Sequence, residues 1–182
     1  ASDYACGRLC GLEDAAEGSG FGSPAHGSKG EGGVEKEMTL TRDFTVATFV
    51  VHESRVLLLH HAKLNMWLPP GGHIEPNELP DDAAVREVRE EAGIKVKLVG
   101  EGALPVEDPR QLVVPKGIQL ERIAPGHEHI DLVYFAVPLG SVKLRPNAES
   151  TQIGWFDREG LKALDLTYEI RLWTEKALKE LG

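Results

Sequence analysis

The chain has 182 residues, 41% of them hydrophobic and 27% charged, with a formal net charge of −9; this is enough for one well-cored domain and short for two. The acidic balance excludes a basic nucleic-acid groove or a polybasic membrane patch, so a phosphate-bearing ligand must be held by a few local cations or by metal ions. No apolar run approaches the roughly 18 residues of a membrane-spanning helix.

Residues 1–37 hold nine of the twenty glycines, both cysteines and no run of large apolar side chains. Such a segment cannot repay the entropy of ordering and is expected to be a flexible tail, followed by a single domain over 38–182. The tail carries three basic and seven acidic residues, which leaves 17 and 22 for the remainder, a net charge of −5. It lacks the basic start and apolar stretch of a signal peptide and is too acidic for mitochondrial targeting. Cys6 and Cys10, with no second pair or nearby histidine, read as incidental thiols rather than a zinc site. The remainder is free of cysteine, which suits a reducing cytoplasm as the expected location. Met38 is the first methionine; the native chain is expected to begin there, the preceding residues being an appended leader or a natural extension.

In chain order, β-branched and aromatic residues predict strands over 44–51 and 55–61, joined as a hairpin. Two prolines and two glycines make 67–73 a loop. A helix is predicted over 79–93, with Pro80 in the favoured first position, Asp81 and Asp82 in the first turn, and Gly93 at its end. Strands are expected over 94–100, 111–114, 117–123, 129–137 and 152–156, and a second helix within 158–181. This order implies a mixed α/β sandwich with no internal repeat.

The chemistry concentrates in the first helix. Glu87, Glu90 and Glu91 stand at i, i+3 and i+4, so three carboxylates crowd one helical face while Val85, Val88 and Ala92 can turn toward the core. A solvated acidic face is the plainer explanation of such a cluster. The Pro- and Gly-rich loop just upstream weighs against it, because carboxylates and a main-chain carbonyl are the oxygen ligands that Mg²⁺ or Mn²⁺ prefers. Arg86, four before Glu90 and eight after Glu78, supplies compensating charge and can orient those acids.

The spacing of Gly72, Glu78, Arg86-Glu87-Val88, Glu90-Glu91 and Gly93-Ile94 resembles the 23-residue Nudix box, and WLPPGGH before it and AESTQIGWFDREGL near the end are similar to MutT-like members. The resemblance extends more weakly over 44–181. It implies the Nudix α/β/α sandwich and divalent-metal-dependent hydrolysis of a small nucleoside diphosphate linked to another group, with Mg²⁺ as cofactor and Mn²⁺ as a substitute. Carried over, Glu90 and Glu91 resemble the box's metal ligands, Gly71 the glycine that offers its carbonyl, and Glu87 the acid that binds metal or takes a proton from water. Arg86 is included in the catalytic set. Glu149, six before Trp155, resembles the acid outside the box that binds a second metal or acts as base; an exposed loop glutamate is the alternative.

Weaker signals remain. His127, His129 and Asp131 alternate onto one strand face, where a transition-metal site competes with ordinary hydrogen-bonded histidines. His60 and His61 have less support. Arg110, Lys116 and Arg122 fall where Nudix enzymes place substrate-selecting loops, with solvated surface charge as the plainer reading. Pro109 stands where a proline is associated with ADP-ribose-cleaving relatives. Trp67 is expected to pack beside the loop rather than stack on a base. A non-catalytic nucleotide-binding sensor of the same fold is the second function; an RNA cap-removing enzyme fits poorly with the acidic charge. No nucleic-acid polymer or membrane partner is expected, and oligomeric state is left open.

Overall fold

The structure is a computed structural model that describes residues 39–182 apart from Ala103, Pro146 and Glu149. The expected tail and the expected acid Glu149 therefore lie outside the described residues. Among the described residues eight strands form a mixed sheet, β1 (Thr41–His52), β2 (Arg55–His61), β3 (Met66–Leu68), β4 (Gly71–His73), β5 (Val96–Leu98), β6 (Gly117–Ala124), β7 (His127–Pro138) and β8 (Ser150–Phe156), and three helices accompany them, α1 (Pro80–Ala92), α2 (Arg158–Lys162) and α3 (Tyr168–Leu181). No helix among the described residues is long and apolar enough to cross a membrane.

β1 and β7 form the centre, paired in parallel from Thr41 opposite His127 to Val50 opposite Ala136. β1 also pairs antiparallel with β4 and, at its far end, with β2, which carries β3 and β8. β5 and β6 pair with opposite ends of β7. Glu53 and Ser54 take positive φ of 47° and 58°, the backbone that lets a two-residue turn follow strand twist.

Strand alternation divides the core into two layers. Val46 and Val50 of β1 and Tyr134 and Ala136 of β7 pack with Ala84, Val88 and Ala92 of α1. Phe49, Val51, Val133 and Phe135 point the other way, against Ile170, Ala177 and Leu178 of α3. The result is the expected α/β/α sandwich. α1 starts at Pro80 and ends at Gly93, whose φ of 71° closes the helix through a hydrogen bond to the Arg89 carbonyl; that left-handed conformation favours glycine.

Two expectations are corrected. The segment 67–73 contains two short strands around Pro69 and Pro70, because pairing with β1 and β2 supplies partners on either side of the prolines. The segment 111–114 is not a strand: the Val113 amide donates to Asp81 and the Val114 amide to the Glu101 carbonyl, which straps it to the start of α1 as a loop. The expected second helix within 158–181 is α3, and the short α2 precedes it, with Asp157 and Thr167 each capping a helix start through its side chain.

Candidate active site

α1 presents its acids to a cleft of about 370 Å³ bounded by the β3–β4 loop. Glu87, Glu90, Glu91, Arg86 and Gly71 all line it, as do His61 and Asn147. The helix spacing distributes the acids by depth. Glu91 is buried at 7% exposure and accepts a hydrogen bond of 2.9 Å from the Gly71 amide. Glu90, at 52% side-chain exposure, faces solvent. Glu87 lies between, and burial pushes its carboxyl upward against the opposing pull of Arg86.

Arg86 organises the cluster. Its Nε and Nη2 donate to the two oxygens of Glu78 at 2.7 and 2.9 Å, a bidentate fork that a lysine could not make. Nη1 reaches Glu87 at 2.7 Å and Glu90 at 3.4 Å, and Nη2 also donates to the His73 carbonyl at 3.0 Å. The guanidinium in turn holds the Glu78 carboxyl below its ordinary value of 4.5.

The two glycines meet different neighbours. A Cβ on Gly71 would lie 2.3 Å from the Val46 carbonyl oxygen, and one on Gly72 would lie 2.3 Å from Glu87 Oε1. Fixed backbone therefore requires glycine at Gly71, while a methyl group at Gly72 would displace the Glu87 carboxylate.

A second cavity of about 110 Å³ adjoins the cleft, sharing Leu64, Leu68, Pro69 and Gly71 with it. Three acids line it: Glu121 of β6, Asp131 of β7 and Glu169 of α3. The Trp173 indole donates to Gln119 Oε1 at 2.9 Å, which fixes the amide so that Nε2 faces Glu121, Asp131 and Glu169 at 3.0, 3.4 and 2.9 Å. Two amide protons cannot satisfy three carboxylates. Among the described residues Glu169 Oε2 is buried without a hydrogen-bond partner, and burial, reinforced by the charge on Glu121, pushes Asp131 up to about 7.

The weaker candidates separate clearly. Lys116 pairs with Glu180 of α3, and Arg122 lies exposed on β6. Trp67 packs edge-on against His60 and Phe156. Asp131 shares a strand face with His127 and His129 but bonds to Thr45 at 2.9 Å, while Asp43 and His73 stand beside the two histidines instead. Sequence reasoning missed Asp43, His73 and the acids Glu121 and Glu169. The strand register that assembles them has no local signature.

The NUDIX domain family matches residues 41–177. The chain belongs to the NUDIX family. It is similar over its described fold to a Nudix hydrolase from Clostridium perfringens, with 37% identity, a TM-score of 0.70, and coverage of 79% of this chain and all of that one. A MutT protein from Methanosarcina mazei, 21% identical with a TM-score of 0.58 over 78% of this chain and 96% of its own, shares the fold. A 47-residue stretch is 55% identical to diphosphoinositol polyphosphate phosphohydrolase 3-alpha of Mus musculus, covering 25% of this chain and 29% of that protein. The match thus spans less than a third of that curated relative.

Proposed function

We propose that this Nudix hydrolase cleaves a pyrophosphate bond in a small nucleoside diphosphate-linked substrate with the help of a divalent cation, Mg²⁺ or Mn²⁺. The observation that carries the reading is the convergence of Glu87, Glu90, Glu91 and Gly71 on one cleft. The donor set fits the group: carboxylate and main-chain oxygens suit a hard cation, and the acids crowd together with one arginine among them. Glu90, Glu91 and Gly71 would hold the ion, with Glu87 contributing to it or serving as base. When bound, such an ion neutralises phosphate charge and lowers the pKa of water.

The chain's own residues do the rest. Burial leaves Glu87 a better proton acceptor than an ordinary carboxylate, and Arg86 holds it in one position for that task. Glu149 competes with it for the role of base; it follows by two residues Asn147, which lines the cleft. The adjoining acidic cavity suits a group rich in N–H donors, such as a nucleobase edge, and repels a second cluster of phosphates. That favours a nucleoside-linked substrate over a diphosphoinositol.

The test is a panel of nucleoside triphosphates, NADH, ADP-ribose, dinucleoside polyphosphates, nucleotide sugars and a diphosphoinositol with Mg²⁺, read by product chromatography. Cleavage between phosphates of a nucleoside compound is the expected result. If none were cleaved while one still bound, a nucleotide-sensing role would replace the enzyme, and preference for the diphosphoinositol would overturn the substrate class.

A further inference from the structure

A group of metal-ligating side chains lies beside the box cleft, to whose lining His73 also belongs. The parallel register sets Asp43 of β1 directly opposite His129 of β7, and Thr41 opposite His127. β4 places His73 opposite Thr45, two residues along from Asp43. Strand alternation then turns Asp43, His73, His127 and His129 toward one face. One ligand atom from each of Asp43, His127 and His129 lies within 4.8 Å of the others.

The individual separations fit a small coordination sphere. His127 Nε2 is 3.2 Å from His129 Nε2 and 3.7 Å from Asp43 Oδ2, and His73 Nε2 is 3.5 Å from the same carboxylate oxygen. Ligands at about 2.0–2.1 Å in tetrahedral array stand about 3.3 Å apart. His73 also meets the His129 ring edge-on at 4.8 Å between centroids.

A hydrogen bond at the edge of the group holds one ligand. Thr41 Oγ1 stands 2.9 Å from His127 Nδ1 and 3.3 Å from the Gly126 carbonyl. With the ring proton on Nδ1, the hydroxyl accepts it and the Nε2 lone pair faces His129 and Asp43, the outer-partner arrangement usual for a metal-binding histidine. His129 is buried at 4% exposure, whereas Asp43 is half exposed and offers a route in from solvent. Donor chemistry also distinguishes the two places: oxygen ligands in the cleft suit Mg²⁺, and imidazoles with one carboxylate suit Zn²⁺ or Co²⁺.

We propose that Asp43, His127 and His129 form a second, transition-metal site of the zinc type, with His73 at its margin, joining β1 to β7 away from the box acids. The proposal does not rest on the hydrolytic reading. It is tested on the full chain, stripped of metal and then held in excess Mg²⁺, by calorimetric titration with Zn²⁺ and by the visible absorption of Co²⁺ in low-symmetry coordination. One equivalent should bind to the wild type and to a Glu90→Gln, Glu91→Gln double variant alike. His127→Gln and Asp43→Asn should each weaken binding at least tenfold, and Thr41→Val, which removes the outer hydrogen bond and no ligand, should weaken it about tenfold. Zn²⁺ should raise the melting temperature of the wild type and not that of Asp43→Asn, whose half-exposed position keeps the metal-free fold intact. Absence of uptake by the wild type, equal uptake by Asp43→Asn and His127→Gln, or loss of uptake in the box variant would each overturn the proposal.

Discussion

Arg86 grips Glu78 through both carboxylate oxygens, at 2.7 and 2.9 Å, from a position eight residues further along the chain. The fork ties the loop before α1 to the helix and leaves Nη1 free to hold Glu87. One cation thus fixes the loop and the central acid together. Its loss should have two separable effects.

Arg86→Ala leaves Glu78 and Glu87 facing each other without compensation at sites where side-chain exposure is 15% and 13%. Urea unfolding should show a loss of about 2–4 kcal/mol. Arg86→Lys keeps the charge but not the fork, so it should recover part of the stability while kcat stays at least tenfold down. Full activity in the lysine variant would show that charge alone suffices.

Glu90→Gln should lower kcat by more than a hundredfold at ordinary Mg²⁺ while the melting temperature barely moves. The side chain is half exposed and its contact with Arg86 is a long 3.4 Å, so the fold has little invested in it. Normal turnover in this variant refutes the ligand assignment.

Gly71→Ala and Gly72→Ala should behave differently although each adds one methyl group. At Gly71 the obstruction is the Val46 backbone, which cannot move without disturbing the β1–β4 pairing, so stability should fall by about 1–3 kcal/mol. At Gly72 the obstruction is the carboxylate of Glu87, the end of a flexible side chain. That variant should fold nearly as well but lose activity, which thermal melts and initial rates can separate.

Glu78 carries a pH signature. Its folded pKa is held below the ordinary 4.5, first by the hydrogen bond from Arg86. The stabilisation it gives is therefore complete above that value and is lost as pH falls through the lowered one. Glu78→Gln should cost about 1.5–3 kcal/mol at pH 7, and the gap between variant and wild type should narrow as pH drops below 4.5. A gap that stays constant down to acid unfolding would show that shape, not charge, carries the interaction.

The parts of the molecule legible in its sequence are those set by neighbours along the chain. α1 begins at Pro80 and stops at Gly93 because both residues act within one turn of themselves, and its acids share a cleft because helical spacing alone puts them on one side. The segment 111–114 misled because its alternation is weak and Pro115 follows it, and the decisive contact, with Asp81, lies 32 residues away. The histidine cluster is half visible in the sequence, as two residues on one strand. Alternation along that strand points to Asp131 rather than Asp43 as their neighbour, since the register that brings Asp43 to His129 joins positions 86 residues apart. The acidic pocket likewise draws Glu121, Asp131 and Glu169 from three elements, and no local pattern links them.

The parallel β1–β7 pairing also has a consequence in time. Contacts between residues far apart in sequence form slowly, and β1 cannot find its parallel partner until β7 has been synthesised. The box helix can therefore be complete on the ribosome while β1 still presents an unpaired edge, the kind of strand that recruits other chains. During that interval the nascent protein carries its acids but neither the acidic pocket nor the histidine cluster, so any fragment ending before His127 should bind neither nucleoside nor zinc and should need chaperone protection.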